Sequence, residues 1–123
     1  FFEGLAHGAS LFFLRFSCRY GDAQELFDRW AHSRDAVAGL GVSNYSFDRS
    51  PVPGLDAAID AARRELRVEL RQSRLQEISR TLMKERLAIP VYQYEDVVYA
   101  TRGLRVTPRL DTYRLLGSAT FTP

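Results

Sequence analysis

Apolar residues follow two rhythms along this chain, separated by a long stretch that follows neither. Residues 1–6 read as the end of a helix, with Gly8 as its stop. Residues 9–17, Ala-Ser-Leu-Phe-Phe-Leu-Arg-Phe-Ser, are nearly continuous in apolar side chains and predict a strand buried on both faces. Gly21-Asp22 breaks that strand. Asp22 is placed to cap the next helix, with Glu25 three residues on as the second half of a capping box. That helix, over residues 23–32, sets Leu26, Phe27 and Trp30 on one side. A short helix over Leu55–Arg64 carries Leu55, Ala58, Ile59 and Ala62 at helical spacing. A longer one over residues 68–86 has the stripe Val68, Leu75, Ile78 and Leu82, with Leu70 beside it. Ala88-Ile89-Pro90 ends it, because the residue before a proline avoids the α region. Residues 91–101, rich in Val and Tyr, predict a second strand. Arg102-Gly103 predicts a turn, residues 104–106 a short extended piece, and residues 113–116 a last strand.

The stretch without period is 33–54, where Gly, Pro, Ser, Asn and Asp cluster. A span of that length inside one domain is expected to be functional or a packed irregular segment.

Length and composition narrow the classes. The chain has 123 residues, of which 46% are hydrophobic and 26% charged, which fits a single globular domain with a real core. The densest apolar cluster, Leu11 to Leu14, is followed by Arg15, so no run approaches the length of a membrane span. One cysteine, Cys18, excludes an internal disulfide framework and a multi-cysteine zinc site. The net charge of +2 is too balanced to imply nucleic acid by itself. Sixteen Arg stand against one Lys, Lys84. That bias reflects either a GC-rich coding sequence or a demand for bidentate anion recognition. The chain opens on Phe1-Phe2-Glu3 with no initiator Met and no signal-peptide pattern, and is expected to be a piece of a longer protein.

Residues able to carry chemistry are few. His7, Cys18, Asp22 and His32 are the members of a conceivable nucleophile–base set. No G-x-S-x-G, H-E-x-x-H, P-loop or G-x-G-x-x-G supports catalysis, and Cys18 reads as a small, partly buried thiol. No metal ligand set and no cofactor motif is found. Arg63, Arg67, Arg71 and Arg74 stack along one helical face, but glutamates interleave with them and no aromatics stand by for base stacking. That face is expected to be solvated, and nucleic acid is not an expected partner. Asn44-Tyr45-Ser46 fits the glycosylation pattern, which arises often by chance. Tyr92 and Tyr94 share one face of the strand at period two, an arrangement found in cores, on sheet surfaces and on ligand walls.

Five short motifs fall in a fixed order: Phe16-Ser17-Cys18; Tyr20-Gly21-Asp22-Ala23 leading to Leu26-Phe27; Asn44-Tyr45-Ser46 with Pro51 following; Leu55-Asp56 opening a helix; and Ile89-Pro90-Val91-Tyr92 after a long helix. This order resembles the C-terminal part of the family 5 extracellular solute-binding proteins, which serve ABC importers of peptides, nickel and opines. The resemblance runs from about Phe2 to Leu116. It implies an α/β fold, a partial second lobe of a two-lobed, type II-like periplasmic binding protein, with a mixed sheet and flanking helices. Residues 1–123 would form a single domain, a C-terminal fragment of the larger protein.

The resemblance also implies the work: capture of a small-molecule or peptide ligand in an inter-lobe cleft, and delivery to ABC permease subunits in the membrane. The location would be periplasmic or extracytoplasmic, and the chain would not be an enzyme. Without the N-terminal lobe, the fragment is expected to self-associate. The implied ligand contacts are Phe16 as an apolar wall, Ser17 and Arg19 as polar contacts, and Tyr94 as a phenol facing the cleft. Peptide-binding members place an Asp shortly after the aromatic to hold the ligand's amine, and here Arg19 takes that position. That exchange favours an anionic group on the ligand. A one-residue shift in register would make Asp22 the anchor instead. Two other classes stay open: a ligand-sensing domain of a cytoplasmic transcription regulator, and an enzyme that depends on Cys18.

Overall fold

The computed structural model describes residues 13, 15–17, 21–95, 97–107 and 119–121. The first helix starts where a carboxylate is available to cap it. Asp22 Oδ1 accepts from the Gln24 N–H at 2.9 Å, and α1 runs over Ala23–Leu26. The coil then widens into a π-helical turn, Phe27–Ala31, closed by the His32 N–H on the Phe27 carbonyl at 2.9 Å. The expected helix over 23–32 is therefore present but changes pitch halfway. The carbonyls of Asp28 and Arg29 are taken by the loop: Gly41 N–H donates to Asp28 and Ser43 N–H to Arg29, both at 2.8 Å.

Helix α2, Leu55–Arg64, opens at Gly54, whose φ of 80° is open to glycine at little cost. Helix α3, Val68–Lys84, follows after a three-residue link in which Glu65 accepts from the backbone and side chain of Arg67. It stops two residues short of the expected end, and Arg86 turns left-handed at φ 56°. The core is what these helices share. Phe27, Ala31, Leu55, Ile59, Ala62, Ile78 and Leu82 are buried, with Ala23, Leu26, Trp30, Val52, Leu75 and Leu87 packed around them. Two positions of the expected stripes fall outside it: Ala58 is exposed, and Val68, in the first turn of α3, lies on the solvent side.

The long aperiodic stretch 33–54 is a packed irregular segment. Asn44 is fully buried at its centre. Its Nδ2 donates to the His32 carbonyl (3.0 Å), and its Oδ1 accepts from the N–H groups of Ser46 (3.1 Å) and Phe47 (3.2 Å). The amide that fitted a glycosylation pattern is thus consumed by the fold.

The sheet differs most from expectation. Among the described residues it is a two-stranded antiparallel pair, β1 (Leu104–Arg105) with β2 (Thr120–Phe121), in register Leu104 to Phe121. The protein is a small mixed fold of helices with this minimal sheet. Residues 91–101 form no strand among the described positions, and they lie exposed. The physical reason is that Val and Tyr favour a strand only when a neighbour supplies ladder bonds and side-chain contacts. Among the described residues this segment forms no ladder; the Thr101 carbonyl accepts from the Leu104 N–H at 3.0 Å, a turn contact with the start of β1. The double-sided burial expected for residues 9–17 also fails where it is visible: Phe13 is 77% exposed, and residues 13 and 15–17 are not in a strand. The rest of that segment, the helix end expected over 1–6 and the strand expected over 113–116 lie outside the described residues.

Candidate functional site

Two of the four implied ligand contacts, Phe16 and Tyr94, are aromatic, and the structure brings their neighbourhoods together through a third residue. The Arg15 guanidinium carbon lies 4.6 Å from the centroid of the Tyr94 ring. A cation over an exposed ring contributes about 0.5–1 kcal/mol, enough to bias two chain segments towards each other. Phe16 beside it is half-buried, Ser17 is exposed, and Tyr94 is about half exposed. Arg19 and Cys18 lie outside the described residues, as does His7.

Tyr92 and Tyr94 do share one side of their segment, as the period-two spacing implies, although no sheet holds them there. Their ring centroids are 4.7 Å apart with planes tilted by 59°, and the Tyr92 hydroxyl donates to the Tyr94 hydroxyl. That bond is the main reason the Tyr92 phenol is pushed above its ordinary value, with partial burial and the Tyr94 charge adding, and the Arg15 cation opposing. Arg15 was legible in the sequence only as the charge that ends an apolar cluster. Nothing in the local pattern pairs it with a tyrosine so far along the chain.

Asp22, the alternative anchor for a ligand amine, is engaged on both oxygens. Oδ1 caps α1, and Oδ2 pairs with Arg71 Nη2 of α3 at 2.8 Å. Burial pushes its carboxyl up, but the Gln24 N–H and the Arg71 guanidinium together outweigh that and hold it below the ordinary carboxylate range. The arginine face of the sequence is likewise engaged within the molecule. Arg63 pairs with Asp28 (2.7 Å) and Asp60 (3.1 Å), Arg67 with Glu65 (3.0 Å), and Arg74 with Glu65 (3.6 Å). A cleft of about 570 Å³ opens between α1, the loop at Gly39 and the side chains of Arg63 and Arg71. Four of its charges, Asp22 with Arg71 and Asp28 with Arg63, are those internal pairs.

His32 is buried at the end of the π-helical turn. Its Nδ1 donates to the Ser33 carbonyl at 2.7 Å, and its Nε2 lies 3.8 Å from Asp60 Oδ1. Asp56 Oδ1 accepts from the Ser33 N–H at 2.9 Å, which ties α2 to this corner. The corner holds elements together, and Ser33 Oγ within it accepts from the Ser50 N–H at 2.7 Å. Among the described residues no three His, Cys, Asp or Glu side chains gather as a metal site, and no helix is long and apolar enough to cross a membrane. Compared with known proteins, the chain matches no family model, no curated protein and no solved structure.

Proposed function

We propose that this chain belongs to the solute-binding component of an ABC importer, as part of the second lobe of a two-lobed protein that closes on its ligand outside the cytoplasm. The observation that carries this reading is the contact of Arg15 with Tyr94. It sets the segment holding Phe16 and Ser17 beside the segment holding Tyr94, and these are the two segments that the motif order assigns to the ligand. An aromatic wall with a few polar groups is the usual lining of a small-molecule site. The half-exposed state of Tyr94 fits one side of a cleft whose other side comes from elsewhere in the protein. Capture and closure require no catalytic group of this chain.

The test is a binding screen of the full gene product against peptides, opines and sugar phosphates by calorimetry. The expected result is a solute bound at micromolar strength or tighter, with affinity falling at least tenfold in Tyr94→Ala. No solute bound, or a bound solute indifferent to Tyr94→Ala and Phe16→Ala alike, would remove the reading.

A further inference from the structure

We propose that Arg15 and Tyr94 together form a receptor for a small oxyanion, the carboxylate or phosphate group of a solute. The inference deepens the ligand-binding reading above and rests on it for the claim that this surface faces a solute.

The argument begins with what Arg15 lacks. Seven other arginines, among them Arg63, Arg67, Arg71 and Arg80, lie within ion-pair distance of a carboxylate. Arg15 has no such partner among the described residues; what it meets is an aromatic ring. The ring face attracts the charge, and no N–H of Arg15 has a hydrogen-bond acceptor among the described residues. The donors are therefore biased towards one ring and left without an acceptor among the described residues. A guanidinium edge matches the two oxygens of a carboxylate or phosphate as a fork.

The phenols add a further donor. Tyr92 donates its hydroxyl proton to the Tyr94 oxygen, which leaves the Tyr94 proton with no acceptor among the described residues. Whichever of the two phenols donates within the pair, one hydroxyl proton remains to be offered outward. A cation drawn to the ring, beside a hydroxyl with an unspent proton, is a donor set without an acceptor among the described residues. The group that completes it is an oxyanion. Tyr92 is exposed and Tyr94 about half exposed, so the pair is reachable from solvent, and binding by this surface alone is expected in the millimolar range.

The experiment titrates the chain with sodium succinate, sodium phosphate or neutral succinamide at constant ionic strength. It follows the Arg15 Nε–H and Tyr94 ring signals by NMR. The expected result is a saturable shift of both signals with succinate, phosphate or both, and none with succinamide. Arg15→Gln should abolish saturation, Arg15→Lys should recover only part of it, and Tyr94→Phe should weaken binding several-fold while keeping the ring. Unchanged Trp30 fluorescence in each variant shows that the helical core is intact. No saturable shift with either anion, equal shifts with succinamide, or unaltered binding in Arg15→Gln would overturn the proposal. A neutral solute bound tightly by the full gene product and indifferent to Arg15→Gln would also remove it, while leaving the importer reading in place. Anion binding at Arg15 with no solute found in the screen would uphold it and count against the importer.

Discussion

Gly41 is the residue on which the docking of the long loop turns. Its φ is 61°, and a Cβ built there would lie 2.7 Å from the His32 carbonyl oxygen and 2.8 Å from Arg34 Cα. Backbone cannot retreat as a side-chain tip would. Its own N–H holds the loop to Asp28. Gly39, two residues earlier, has a similar φ of 70° but open space where a Cβ would sit. The two positions separate conformational strain from collision. Gly39→Ala is expected to cost about 1–2 kcal/mol for the left-handed backbone alone. Gly41→Ala should cost about 1–3 kcal/mol more, since the collision adds to that strain. Urea denaturation of the two variants checks this, and equal costs would mean the loop moves freely off the helix. Asn44 makes the complementary case. Asn44→Ala leaves the Ser46 and Phe47 N–H groups and the His32 carbonyl short of partners, at about 1–3 kcal/mol. Asn44→Asp keeps the shape but turns an oxygen onto that carbonyl. It is expected to be no more stable than Asn44→Ala at neutral pH, by the same measurement.

At the level of elements, α1 and α3 are joined by Asp22, which caps one and pairs with Arg71 of the other. A carboxyl held below its ordinary value in the folded state binds its proton less readily there than in the unfolded chain. Its contribution to stability is therefore complete above the ordinary value of 3.8 and disappears as pH falls through the lowered folded value. Asp22→Asn should be less stable than the native chain at neutral pH, and the difference should shrink below about pH 4. Urea midpoints from neutral pH down to the acid limit of folding test the sign; a gap that widens in acid would contradict it. The helices were legible in the sequence because amphipathic spacing is local. Leu55, Ile59 and Ala62 recur at helical intervals, and their burial follows from the α3 face that Ile78 and Leu82 supply. The π-helical turn was not legible, because it depends on loop N–H groups claiming the Asp28 and Arg29 carbonyls from afar. The strand expected over 91–101 is absent among its described residues for a related reason: they have strand character, but a strand is a property of two segments. The candidate site shared this limit. Tyr92 and Tyr94 were visible as neighbours at period two, while the meeting of Arg15 with Tyr94 is a tertiary fact.

On the scale of the whole molecule, the helices bury a shared apolar core, and the segment that follows α3 leaves most of its apolar side chains exposed. Ile89, Val91, Tyr92, Tyr94, Val97, Val98 and Tyr99 are large and exposed within a stretch of eleven residues. Their backbone forms no ladder with another described strand. Exposed apolar side chains whose backbone has no ladder partner among the described residues are the conditions under which chains pair edge to edge. Glu95 and Asp96 interrupt the run and should limit its stacking into long ladders, as charges on an edge do. The chain is therefore expected to form dimers or small oligomers at high concentration rather than fibres. Light scattering across a concentration series should show a mass rising above that of 123 residues. Val97→Lys, which adds a charge on an exposed position, should lower the association without changing the urea midpoint of the helical core. A mass that stays monomeric throughout the series would contradict the expectation. Association undiminished by Val97→Lys would place the contact elsewhere on the molecule.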